Sequence, residues 1–320
     1  MKSFNWLKGL LLICISLSFA ACDDDSEPAG KGEVEFEITD APIDDTNIKG
    51  VFVTIADVKV NGVSLEGFTK TTVDLKAYSE GKTKILGGGQ FDARTYENVV
   101  LVLDLENDAN GNSPGCYVLD QNNTKHQLGT TANATSELVV NKSWSVVKDA
   151  KTNMVLDFDL RKAIRYRDEG TSEYRFASDN NLGAAVKLVT RAKTGTVRGS
   201  YEESNGSNAD KIIVYAYKKG TFNAETETTE QGDDGILFAN SAASAEVKST
   251  ITGNQFTLAF LEEGEYELHF VGYSRDATTG RHLFESHLQS ETSVNGSVGN
   301  LISVKSGVTL EVAATITGIL

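Results

Sequence analysis

Between residues 32 and 40 the chain alternates without a fault. Val34, Phe36 and Ile38 fall on one side, and Glu33, Glu35 and Glu37 on the other. A period of two with β-branched and aromatic residues inside predicts a half-buried strand. Asp40-Ala41-Pro42 ends it, because proline lacks the N–H that a ladder needs and restricts the residue before it. In the next apolar run Val51, Val53 and Ile55 share a face, but Val58 and Val60 fall out of step. One extra residue near Ala56-Asp57, a β-bulge, restores the register, and Asn61-Gly62 then predicts a hairpin turn. Val73 and Leu75 alternate with Asp74 and Lys76, and Val99 to Leu105 is apolar on both faces, as a central strand requires. Met154, Leu156, Phe158 and Leu160 alternate with Val155, Asp157, Asp159 and Arg161, and Ala184, Val186 and Leu188 complete this half. No window carries a helical stripe, so the half is predicted all-β with a sandwich-like core.

Lys193-Thr194-Gly195-Thr196 marks a join, after which the pattern restarts with Val197 and Ile212 to Tyr217. A polar loop from Lys218 to Gly235 separates these from two further runs. Phe256, Leu258 and Phe260 form one predicted strand face, and Tyr266, Leu268 and Phe270 the next; Gly264 between them suits a turn with positive φ. Val308, Leu310 and Val312 supply a last strand. The fold class expected is all-β, with two β-sandwich domains at 32–192 and 195–320. Each places a tyrosine, Tyr96 or Tyr266, at the head of a long strand.

Ahead of the first strand, Lys2 and Lys8 precede an apolar run from Leu10 to Phe19 and a small-residue cut at Ala20-Ala21. The run is shorter than the roughly 20 residues that span a bilayer, and its layout is that of a cleaved leader, residues 1–21. The residue after the cut is Cys22, and the pattern resembles a bacterial lipoprotein signal, although Phe19 stands where leucine is usual. The resemblance implies that the Cys22 thiol carries a diacylglycerol, with further acylation (palmitate) of the new N-terminus. Two or more chains hold a protein stably on a membrane. Residues 22–31 then form an acidic tether. Asp23-Asp24-Asp25-Ser26-Glu27 resembles the export signal of many surface lipoproteins of Bacteroidota. The location it implies is the outer membrane, lipid-anchored and exposed at the cell surface, with the periplasmic face as the alternative.

Without the leader the balance is 28 basic against 45 acidic residues, which argues against nucleic acid and against an electrostatic grip on anionic lipid. Of three cysteines Cys14 leaves with the leader and Cys22 is lipidated, so Cys116 has no partner for an internal disulfide. Beside Gly115 and Tyr117 it is expected to be a small buried hydrophobe.

Val34 to Pro42, the strand ending Val58-Lys59-Val60, Val73-Asp74-Leu75, Thr95-Tyr96 with the strand to Leu103, and Leu156-Asp157-Phe158-Asp159 are similar to landmarks of domain-of-unknown-function family 4382. Ala93-Arg94-Thr95 departs from the Ala-Gly that commonly precedes that tyrosine. The resemblance implies an exported or lipid-anchored β-domain and supplies no functional residues. Leu261, Gly264 and Tyr266 resemble the turn of prealbumin-like modules related to carboxypeptidase regulatory domains, which implies a seven-stranded spacer or interaction unit.

Chemical motifs are few. Ser145–Lys148, Ser178-Asp179-Asn180 and Lys193-Thr194-Gly195 fit the three signatures of serine β-lactamases in order. That chemistry needs the serine one helical turn from the lysine, and here it lies in a strand-like run, where residues three apart face opposite ways. His126, His269, His282 and His287 show no metal-binding spacing; His282 and His287, five apart in a strand, face opposite sides, and all four are expected to face solvent or lie at the rim. Glu106 to Gly111 resembles half a calcium loop, with Tyr117 where the closing glutamate would stand; as a plain Asn/Asp/Gly turn between strands it needs no metal, and that is the reading preferred. Trp144, Tyr166, Tyr174, Tyr215 and Tyr217 suit strand packing more than sugar stacking. No catalytic site, cofactor or metal is expected. The function expected is a non-enzymatic binding or structural protein serving adhesion or surface assembly, with a protein or glycan ligand. The alternatives are a glycan-binding accessory lipoprotein or a pilus-type subunit.

Overall fold

The computed structural model describes residues 30–41, 43, 45, 47–129, 134–166, 174–204, 207–230 and 235–320. The leader, Cys22, the tether up to residue 29 and Pro42 lie outside the described residues. The N-terminal half contains β1 (Lys31–Ala41), β2 (Ile48–Val60), β3 (Val63–Ser64), β4 (Thr71–Asp74), β5 (Lys84–Asp92), β6 (Thr95–Asp104), β7 (Tyr117–Asp120), β8 (Lys125–Gln127), β9 (Thr135–Ser145), β10 (Lys151–Asp159), the one-turn helix α1 (Leu160–Ala163), β11 (Ile164–Tyr166), β12 (Tyr174–Phe176), α2 (Asp179–Ala184) and β13 (Val186–Thr190). The C-terminal half contains β14 (Thr194–Glu203), β15 (Lys211–Lys218), α3 (Ala224–Glu227), β16 (Ala243–Glu246), β17 (Lys248–Thr250), β18 (Gly253–Glu262), β19 (Gly264–Arg275), β20 (His282–Val294), β21 (Ser297–Val298), β22 (Ile302–Val304) and β23 (Thr309–Ile319).

The first half is a sandwich. One sheet has the order β13-β10-β1-β5, with β1 and β10 parallel; the other runs β8-β7-β2-β6-β9, with β3 and β4 added to β2. Val34, Phe36 and Ile38 of β1 meet Val51, Val53 and Ile55 of β2 in one core. The bulge falls where the parity change puts it, between Ile55 and Asp57 in the pairing with β6. The hairpin follows at Asn61 (φ 46°) and Gly62 (φ 80°), the two left-handed residues of a type I′ turn. Three short runs depart from the strand pattern. Leu75 and Lys76 turn into a 3-10 helix, Leu160 and Arg161 open α1, and Ala184 closes α2. Glu37 also departs: it is buried, because Arg191 reaches across the outer face of the sheet to pair with it.

The second half is one rolled sheet in the order β16-β15-β19-β20-β23-β14-β18-β17, with β21 on β20 and β22 on β19. That is ten strands rather than seven. Phe256 and Leu258 of β18 and Tyr266, Leu268 and Phe270 of β19 face one core. β18 and β19 are not hydrogen-bonded to each other, so the chain crosses the core at Glu263. Gly264 accordingly has no positive φ. The two tyrosines noted in the sequence do the same work: Tyr96 Oη donates to the Asp92 carbonyl at 3.1 Å and Tyr266 Oη to the Glu262 carbonyl at 2.8 Å. Each pins a strand head to the backbone four residues upstream, the geometry of a tyrosine corner.

Phe260 is the main surprise of this half. Gly195 of β14 faces Leu261 and Val197 faces Leu258, so Ala259 and Phe260 bulge out of the pairing. Phe260 sits at φ 56°, a region ordinary residues seldom occupy. Leu261 takes the core place expected for Phe260, whose ring packs instead on Val155 and Val189 of the first half.

Candidate functional site

The halves meet along a polar seam built mostly from α1, β13 and the turns after β1 and β15. Arg161, 6 % exposed, leaves α1 and donates from Nη1 to the Leu237 carbonyl at 2.6 Å and from Nη2 to Ser241 Oγ at 3.3 Å. Its guanidinium lies 4.8 Å from the centroid of the Tyr215 ring. Lys162 Nζ donates to the Ser241 carbonyl at 3.1 Å, and Lys187 Nζ to the Ala242 carbonyl. In the other direction Lys211 Nζ donates to the Ile43 carbonyl at 2.8 Å, and Arg281 pairs at 3.5 Å with Asp45, which also accepts from Tyr174 Oη at 2.9 Å and from the Asn47 N–H at 2.8 Å.

The charges along this seam are set by burial first and neighbours second. Asp40 is buried, and desolvation together with Asp157 and Asp159 holds its carboxyl well above the usual range; the Leu160 N–H bonds to it, and Oδ1 has no partner. Burial pushes Asp159 the same way, but Arg161, Lys162 and Lys187 outweigh it and bring the carboxyl below the ordinary value. Lys162 is lowered to about 8, chiefly by desolvation, and burial lowers Lys76, with Lys211 adding to it. Two clefts open on either side of Phe260. One of about 300 Å³ is lined by Asp40, Ile43, Lys76, Lys211 and Glu246, the other of about 490 Å³ by Lys187, Lys218 and Tyr266, and Phe260 lines both.

Outside the seam, the expected site residues distribute as follows. Cys22 lies outside the described residues. Cys116 is fully buried, its Sγ held by the Thr54 N–H and the Asp104 carbonyl, and burial pushes the thiol up to about 12. Ser145 ends a strand, Ser178 precedes α2 and Lys193 closes a 3-10 turn, so the β-lactamase motifs share no helix. In the loop from Glu106 to Gly111 the Asp108 carboxylate accepts from the N–H groups of Asn110 and Asn112, as a self-capping turn does. Among the described residues, no group of three or more histidine, cysteine or carboxylate side chains is arranged around a metal position. Trp144, Tyr174, Tyr215 and Tyr217 are buried, and Trp144 stacks on Tyr96 with ring centroids 4.9 Å apart. They are core.

Of the histidines, His282 is buried against expectation, while His126, His269 and His287 are half-buried; His126 pairs with Asp120 at 3.0 Å. His269 of β19 and His287 of β20 meet, Nδ1 to Nε2, at 3.2 Å, under the ring of Phe222. Burial lowers both, and His287 adds to the effect on His269, which falls to about 4. Sequence spacing compared His282 with His287 and missed this pair, because only the β19–β20 register joins residues 18 apart. The polar loop held a second hidden group. α3 buries Glu227, which accepts from Tyr217 Oη at 2.6 Å and from the Asn240 amide.

These features define an all-β protein of sandwich-like sheets with a buried polar seam. Residues 31–178 match the family model described as Domain of unknown function (DUF4382). No curated protein matches the chain. Among solved structures it is similar to a leucine-rich repeat protein from Bacteroides thetaiotaomicron, at 11 % identity and TM-score 0.24 over 89 % of this chain; the chain spans 26 % of that protein. It is also similar to the major pilin protein T-13 of Streptococcus pyogenes (12 % identity, TM-score 0.20, 91 % of this chain and 99 % of that one). The minor pilin of Streptococcus agalactiae is a third (11 % identity, TM-score 0.22, 89 % and 96 %).

Proposed function

We propose that the chain is a lipid-anchored, extracytoplasmic structural or binding protein without catalytic activity. Two β-domains, at 32–192 and 195–320, stand off the outer membrane on the acidic tether at 22–31. The observation that carries the structural role is the seam. Arg161, Lys162 and Lys187 end on backbone carbonyls of the opposite half, and Lys211 answers from the other side. Such bonds tie the halves together across the seam, which suits a spacer or display unit. Ser145, Ser178 and Lys193 of the hydrolase-like motifs lie on separate elements. The cysteine placed directly after the leader-like run, Cys22, and the acids that follow it support the location.

Palmitate labelling and fractionation of the full chain test this. The wild type is expected in the outer-membrane fraction, labelled, with a mature N-terminus at Cys22, and accessible to protease on intact cells. Cys22→Ala should abolish the label and release the protein. Unlabelled wild-type protein, or a Cys22→Ala variant that stays in the membrane, would overturn the anchoring.

A further inference from the structure

β19 and β20 pair with Val271 opposite His287, which makes His269 and His287 diagonal neighbours on one sheet face. Their facing nitrogens are 3.2 Å apart and their ring centroids 5.3 Å. Phe222 stacks on His269 with a centroid distance of 3.6 Å and fixes that ring. Behind it, Glu267 Oε2 lies 3.6 Å from Nε2, the ring nitrogen that His287 does not face. A cavity of about 360 Å³, lined by both histidines with Gln289, Ser290 and Asn300, opens beside the pair.

We propose that His269 and His287 are two ligands of a late first-row divalent cation, Zn(II) or Cu(II), with Glu267 orienting His269 from behind. Two metal–nitrogen bonds of about 2.05 Å at a tetrahedral angle set the nitrogens about 3.3 Å apart, close to the spacing found. The rings therefore need to pivot and not to separate: both facing nitrogens must offer lone pairs, so the ring whose facing nitrogen carries the hydrogen-bond proton changes to the tautomer protonated on its far nitrogen, and the cation takes the place of that proton. Glu267 stands where the outer carboxylate of a carboxylate–histidine–metal arrangement stands, on the ring nitrogen turned away from the ion. Imidazole donors select zinc, copper and nickel over magnesium or calcium, with copper bound most tightly. Because only two side chains coordinate, the remaining positions fall to water or to a donor atom of a molecule in the cavity. The ion would then join an outside ligand to the sheet.

The test uses the full chain carrying Cys14→Ala and Cys22→Ala, so that no leader or anchor thiol competes. CuCl₂ is followed by paramagnetic resonance and ZnCl₂ by calorimetry. One equivalent of copper with two imidazole nitrogens in its hyperfine pattern is expected, falling to one nitrogen in His287→Ala. Zinc should bind at least about tenfold more weakly in His287→Ala and in His269→Gln, and about tenfold more weakly in Glu267→Gln, with the two-nitrogen copper signal kept. His126→Ala should change neither. If His269→Gln fails to fold, His287→Ala, checked by circular dichroism, decides alone. Absence of zinc binding to the parent chain, or affinities and spectra untouched by His287→Ala, would overturn the proposal.

Discussion

Asp40 and Glu37 sit three residues apart on β1 and burial raises both, yet their neighbours give opposite results. Glu37 is pushed up by burial and brought back below the ordinary value by Arg191, Thr83 and Asn153. It contributes stability that is present above the unfolded carboxylate value, about 4, and lost as pH falls below it. Asp40 has no such partners on Oδ1 and is held high. The folded state therefore keeps a proton that the unfolded chain has released, and stability drops as pH rises from about 4 through the folded value. Asn at this position keeps an acceptor for the Leu160 N–H and carries no charge. Asp40→Asn should raise the urea midpoint at pH 7.5 and leave it unchanged at pH 3.5. A lower midpoint at pH 7.5 would mean that the ionised carboxylate is wanted.

A single extra residue in β18 changes what that strand is for. Without it Phe260 would enter the second core beside Phe256 and Leu258, as strict alternation demands. With it the ring leaves that core, packs on β10 and β13 of the first half, and lies under the Arg191 guanidinium at 5.0 Å. Bulges re-aim side chains in this way, and the left-handed backbone of Phe260 is the local cost. Phe260→Ala keeps that backbone and removes the contact, so a loss of about 3 kcal/mol is expected in denaturant unfolding. A change below about 1 kcal/mol would show that the two clefts collapse around the smaller side chain.

For the molecule as a whole, the seam decides whether it unfolds as one body or two. Each half has its own apolar core, from Val34 to Leu188 and from Val197 to Ile316. Buried charges couple them. Arg161→Ala strips the Leu237 carbonyl of its donor, leaves the Phe238 carbonyl to Ser241, and leaves Asp159 with Lys162, at 3.5 Å, and the charge of Lys187. A cost of about 3 kcal/mol is expected, and scanning calorimetry should show two transitions in the variant and one in the wild type. The exposed Lys142–Glu262 pair, at 3.2 Å, also crosses the seam. Lys142→Ala should change stability by no more than about 0.5 kcal/mol. A single undivided transition in Arg161→Ala would move the coupling to the apolar contacts of Phe260.

Much of this was legible in the chain. The alternation of Val34, Phe36 and Ile38, the parity break at Ala56-Asp57 and the Asn61-Gly62 turn fix their own local geometry, because period two and positive-φ propensity act over a few residues. The burial of Cys116 was readable for the same reason: it depends on near neighbours and residue type. Pairing across distance was not. The parallel junction of β1 with β10, the Tyr96 and Tyr266 hydroxyls on their upstream carbonyls, and the burial of Glu37 and Glu227 depend on partners brought up by the fold. The same holds for Arg161 in the opposite half and for His269 beside His287. Sequence distributes apolar and polar side chains along each strand, but only register and sheet order decide which polar groups lose their water together, and that loss sets their charge and their partners.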